Sequence, residues 1–70
     1  MLKYNKFFDL LKQKNIKQID LRKQGIHPRT FQKMVKSELL RTDTIDDLCR
    51  LLNCQPGDIM EYTPDEENNV

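Results

Sequence analysis

Arg29, Gln32, Lys33 and Lys36 are the residues of this chain whose types and spacing best fit a chemistry. Arginine, lysine and glutamine side chains reach phosphates and make paired hydrogen bonds to base edges. At about 100° per residue, the four share one side of a helix over residues 28–36. Pro28 suits its first position, because the missing N–H has no partner there anyway. Phe31, Met34 and Val35 fall at i, i+3 and i+4 and supply an apolar face opposite. Such a charged face, taken alone, is as readily a solvated surface; the rest of the chain decides.

Other chemistries find little material. There is one histidine, His27, and two cysteines, Cys49 and Cys54. No quartet of metal ligands assembles at zinc-site spacing. Five residues apart around a helix end, the cysteines read as small core hydrophobes rather than a disulfide. No Gly-rich phosphate loop and no catalytic dyad is visible. The aspartates gather at helix starts, where capping explains them. The expectation is a protein that is not an enzyme, with no cofactor, no metal and no small-molecule ligand.

Seventy residues suffice for one domain. A chain this size buries only about 60% of its unfolded surface, so a deep enclosed site is not expected. No run approaches the ~18 apolar residues of a membrane span. Lys3, Lys6, Asp9 and Lys12 interrupt the hydrophobic residues at the start, which is no signal-peptide pattern, and the expected setting is cytoplasmic. The net charge of +1 conceals an asymmetry. Ten of the twelve lysines and arginines lie in residues 1–36, with only Asp9 and Asp20 against them. The other nine acids follow, with only Arg41 and Arg50. One half suits a polyanion and the other does not.

The elements that must position the basic face follow from periodicity. Tyr4, Phe7, Phe8 and Leu11 predict a helix over residues 5–14, with Asn5 as N-cap and Lys12, Lys14 and Asn15 at its end. Met1 to Lys3 are expected to be extended. Residues 17–24 give about two more turns, with Ile16, Ile19, Leu21 and Ile26 as a thin buried side. Gly25 can take positive φ and stop them. His27 then falls in the N-cap slot of the next helix, where its ring can accept a backbone N–H or meet a phosphate. Ser37 to Arg41 reads as a loop, with Leu39 and Leu40 anchored on the core. Thr42 or Asp43 caps a fourth helix carrying the stripe Ile45, Leu48, Cys49 and Leu52, with Asn53 as a left-handed stop. Pro56 opens a last short helix reaching Tyr62.

Two short helices joined across Gly25-Ile26, the second basic on its outer face, have the shape of a helix-turn-helix. The chain resembles the Cro/phage-repressor type (the xenobiotic-response-element family) of helix-turn-helix transcriptional regulators, and within it a small single-domain bacterial and phage subfamily. The likeness rests on Tyr4-Asn5-Lys6, on Gly25 through Phe31, on Thr42-Asp43-Thr44-Ile45-Asp46-Asp47-Leu48-Cys49, and most specifically on Leu52 through Tyr62. Gln24 departs from it, standing where an aliphatic residue is usual. So does Ser37, where a glycine often follows the recognition helix.

The resemblance implies an all-α, compact five-helix lambda-repressor-like domain over residues 1–63; residues 64–70, polar and acidic with a proline, read as a tail without fixed structure. It implies sequence-specific binding of double-stranded DNA and a regulator of transcription, a repressor by preference. Carried over by position, Arg29, Thr30, Gln32 and Lys33 face bases. Lys17, Gln18, His27, Lys36, Arg41 and Thr42 face the sugar-phosphate backbone. It further implies a homodimer, at least on DNA, formed through the C-terminal part around Pro56–Tyr62. The rival from another class is a protein-interaction module, an antagonist or antitoxin-like partner, that keeps the fold without operator binding.

Overall fold

The computed structural model describes residues 1–64. The chain runs through a short strand β1 (Leu2–Lys3), α1 (Asn5–Lys14), α2 (Gln18–Lys23), α3 (Pro28–Val35) and α4 (Thr42–Leu52). A single 3-10 turn (Pro56–Asp58) and a second short strand, β2 (Glu61–Tyr62), follow. The fold is all-α in substance, with four α-helices rather than five. The expected last helix is the 3-10 turn, after which the chain extends into β2. That strand pairs antiparallel with β1, Leu2 opposite Tyr62 and Lys3 opposite Glu61. The Thr63 N–H continues the ladder by donating to the Met1 carbonyl at 2.9 Å. Of the expected acidic tail, residues 65–70 lie outside the described residues.

All four α-helices end in the same way, and this sets the corners of the fold. Asn15, Gly25, Ser37 and Asn53 each take positive φ, at 56°, 107°, 59° and 52°. The residue after each donates its N–H back into the helix: Ile16 to Leu11, Ile26 to Leu21, Glu38 to Lys33 and Cys54 to Cys49, at 2.9–3.1 Å. This bond brings the side chains at its two ends together. In three corners the pair is apolar, which tucks the chain against the core. Cys49 and Cys54, both free and half-buried, fill the slots that Leu11 and Ile16 fill in the first corner. Their place is structural.

The core is a single cluster. Phe7 and Leu11 of α1, Leu21 of α2, Ile26 of the turn, Phe31 and Met34 of α3, and Ile45, Leu48 and Leu52 of α4 are buried together with Tyr4 and Ile59. Phe7 lies between Phe8, edge-on at 5.1 Å, and Phe31, stacked at 6.1 Å between centroids. The stack ties α3 to α1.

Several expectations need correction. Val35 does not join the apolar face; it is 71% exposed. Phe31 and Met34 bracket the buried direction, and Val35 lies about 70° off it, in the helix's last residue. Ile19 is 44% exposed. It sits about 160° around α2 from Leu21, so the two cannot face one core. Leu39 is 72% exposed, whereas Leu40 packs against the core as expected. The cap slots of α1 and α4 hold Tyr4 and Arg41, neither with a side-chain cap bond, rather than Asn5 and Thr42 or Asp43. Lys36 is the C-cap of α3, not its last turn.

Candidate nucleic-acid interface

Helix α2 starts where the Asp20 carboxylate accepts the Lys17 backbone N–H at 3.0 Å. After six residues Gly25 turns the chain, and Ile26 enters the core. His27 then caps α3: its Nδ1 accepts the Arg29 backbone N–H at 3.0 Å. An accepting Nδ1 leaves the ring proton of the neutral form on Nε2, at the outer edge of the ring. That edge is a donor facing solvent beside the helix start.

With Phe31 and Met34 turned inward, α3 presents Arg29, Gln32 and Lys36 exposed and Thr30 and Lys33 half-buried. Two shallow concavities flank this face. One lies between α3 and the start of α4, lined by His27, Arg29, Thr30, Lys33, Leu40, Arg41 and Thr44. The other is lined by Arg29, Gln32, Lys33, Lys36 and Glu38. Arg29 and Lys33 border both and so form the ridge between them. Among the described residues neither has an acidic partner. Arg41 pairs with Asp43 at 3.3 Å, but the side chains are 85% and 67% exposed. A pair so open contributes little and yields readily to another anion.

The expected base-facing residues Arg29, Thr30, Gln32 and Lys33 therefore gather on one surface, with His27, Lys36 and Arg41 around it. Thr42 is exposed at the adjoining helix start. Lys17 and Gln18 stand apart from these two concavities, at the α2 start, where they border a third beside Phe8, Leu11 and Ile16. The sequence reading missed Thr44 and Glu38. Thr44 is brought to the face across the loop, so no spacing within α3 could reveal it. Glu38 follows the Ser37 corner, whose left-handed turn a serine does not advertise.

An outward cationic helix, capped at its start and backed by a second helix across a tight glycine corner, defines a helix-turn-helix DNA-binding domain. The chain belongs to the Cro/C1-type HTH DNA-binding domain family, whose model matches residues 8–65. The fold is similar to the crystal structure of the transcriptional regulator VanUg, with a TM-score of 0.83 and 35% identity, over 91% of this chain and 87% of that one. A second relative is the uncharacterized HTH-type transcriptional regulator YozG of Bacillus subtilis (strain 168), 47% identical over 32 residues. That match takes in 46% of this chain and spans only 38% of the relative's length. No helix among the described residues is long and apolar enough to cross a membrane.

Proposed function

We propose that the protein is a sequence-specific regulator of transcription, acting as a repressor in the cytoplasm and doing no catalysis. It reads the major groove of double-stranded DNA with α3. The observation that carries this reading is the Arg29–Lys33 ridge, cationic and without acidic partners among the described residues, on the face of α3 opposite Phe31 and Met34. Arg29, Thr30, Gln32 and Lys33 meet base edges; Lys17, Gln18, His27, Lys36, Arg41 and Thr42 meet the backbone. Phosphate contacts position such a protein and base contacts select the sequence. Arg29 lies in the first turn of α3, and its guanidinium fork can hold guanine by two hydrogen bonds.

The binding unit is a homodimer, at least on DNA. One recognition helix reads a few base pairs; two related by a two-fold axis reach half-sites about 34–36 Å apart. The stretch from the 3-10 turn to β2 is the proposed contact, where Tyr62 is 68% exposed. Light scattering of the complex with a selected operator checks this, and one chain per site sinks it.

The test of the DNA reading is a salt series with the wild type, Arg29→Ala and Lys17→Ala on a selected operator and on scrambled duplex. Arg29→Ala is expected to cost roughly 1–3 kcal/mol on the operator and relax preference at one base position. Lys17→Ala is expected to weaken both duplexes alike and lower the salt slope by about one. If none of the three proteins binds duplex even at low salt, the reading fails in favour of a protein-interaction module on the same fold.

A further inference from the structure

The loop between α3 and α4 carries Arg41 to the DNA-facing surface and is held at its two ends and at one point between them. Its first part is fixed by the Ser37 corner, where Ser37 donates to Met34 and Glu38 to Lys33. Beyond that, Leu39 contributes nothing to burial, since it is 72% exposed. At its far end the Arg41 carbonyl accepts the Thr44 and Ile45 N–H groups at 3.1 Å and Leu40 packs against the core. Between these two ends the backbone is met by Tyr4. Tyr4 is 1% exposed, and its hydroxyl donates to the Glu38 carbonyl at 2.9 Å, across 34 residues. Against the larger effect of burial, the Leu40 backbone lowers the pKa of the same phenol. The hydroxyl thus holds the backbone just before Leu39, whose own side chain points out. Leu40 and Arg41 follow directly and line the cleft against Arg29, Thr30 and Lys33.

We propose that Tyr4 is a positioning residue for DNA binding, a pin that holds the Glu38–Leu40 backbone so that Arg41 stands ready for a phosphate. Tyr4 touches no DNA itself. The proposal rests on the reading above that Arg41 meets the DNA backbone.

A double-mutant cycle tests it: wild type, Tyr4→Phe, Arg41→Ala and the double variant, each titrated with the selected operator and with scrambled duplex across a salt series at low temperature. Tyr4→Phe keeps the buried ring and removes only the hydroxyl. Alone, it is expected to weaken both duplexes roughly threefold to tenfold, the worth of one hydrogen bond. The salt slope falls by about one and base preference is unchanged. In the Arg41→Ala background Tyr4→Phe has no further effect, because the residue it positions is gone. Amide exchange of the free Tyr4→Phe protein gives a second reading: the Ser37 and Glu38 amides of the loop, which donate to Met34 and Lys33, speed up while those of Phe31 and Met34 keep their protection.

Equal losses in both backgrounds would make Tyr4 a purely structural residue and overturn the proposal. Wild-type binding by Tyr4→Phe, unchanged loop exchange, or a Tyr4→Phe protein unfolded even in the cold would do the same. If Arg41→Ala binds as wild type, the placing of Arg41 on DNA fails first and takes the pin with it, an outcome distinguishable from the others.

Discussion

Glu38 donates its backbone N–H to the Lys33 carbonyl at 2.9 Å, and with that bond α3 ends on a charged pair where the other three helices end on apolar ones. The bond normally draws a hydrophobic couple inward. Here it sets a lysine and a glutamate on the outer side of α3, where both line one concavity without forming an ion pair among the described residues. Corner geometry is thus shared by all four helices, and only this corner is turned outward.

The corner is made by Ser37 at φ 59°, a region that favours glycine. A side chain there costs roughly 1–2 kcal/mol, while a glycine adds roughly 0.5–1 kcal/mol of unfolded-chain entropy. Ser37→Gly is expected to stabilise the domain by about 0.5 kcal/mol net. A urea titration whose midpoint stays level or drops would show that Ser37 stores no strain.

His27→Ala removes the side-chain cap of α3, and caps of this kind contribute about 0.5–2 kcal/mol. The melting temperature is expected to fall accordingly. His27→Asn, which offers an acceptor at the same slot, recovers most of the loss. Equal melting of the alanine and asparagine variants would show that the 3.0 Å bond to Arg29 contributes nothing.

Phe31→Ala opens a cavity beside Phe7, and truncations of that kind cost ~3–5 kcal/mol. That is comparable to the whole stability of a small domain. Val35→Ala, four residues on and 71% exposed, is expected to change stability little, within about 0.5 kcal/mol. Thermal unfolding by circular dichroism separates them, and a cooperative melt for Phe31→Ala near the wild type would contradict the assigned core.

Burial pushes the Cys54 thiol above its ordinary value of 9.0, with Cys49 beside it adding to the effect. Burial likewise raises the Tyr4 phenol above 10.0, against an opposing hydrogen bond from Leu40. Both groups hold their protons more tightly folded than unfolded. Their contribution to stability is therefore fully present below about pH 8 and is lost as pH rises through the folded values. Denaturant midpoints against pH are expected to fall on the alkaline side, less steeply in Tyr4→Phe. In keeping with its high pKa and half-burial, Cys54 reacts slowly with alkylating reagents at neutral pH. Reductant leaves the melt unchanged; a large drop on adding it would reveal a disulfide.

Long stripes, the helix stops and the His27 cap were the legible parts of the sequence; the caps of α1 and α4 were not, since Tyr4 and Arg41 fill those slots with backbone alone. Helix α1 occupies residues 5–14 as its Tyr-Phe-Phe-Leu spacing predicts, and α4 follows its four-residue stripe. The stops at Asn15, Gly25 and Asn53 use residues that tolerate positive φ, and His27 caps over two residues, so all are local chemistry. The failures are short or nonlocal. Six residues of α2 are too few to define a face, and Ile19 misleads. The stretch Ile59-Met60-Glu61-Tyr62 has no strand signal of its own; it extends because Leu2 and Lys3 lie beside it. Leu39 is apolar and still exposed, next to a Glu38 carbonyl that a tyrosine 34 positions earlier holds. The cationic face of α3 was readable for the opposite reason: it is one helix deep.

The β1–β2 ladder has a topological consequence. It brings Met1 against Thr63, so the described chain is already closed into a ring by hydrogen bonds alone. Replacing residues 65–70 by a short Gly-Ser bridge that joins Pro64 to Met1 would make the ring covalent. Cyclisation restricts the unfolded chain, with an upper bound of about 4 kcal/mol for a loop of this length. A cyclic domain would melt higher than its linear parent and, with Tyr4 rooted next to the join, keep the loop that carries Arg41 in place.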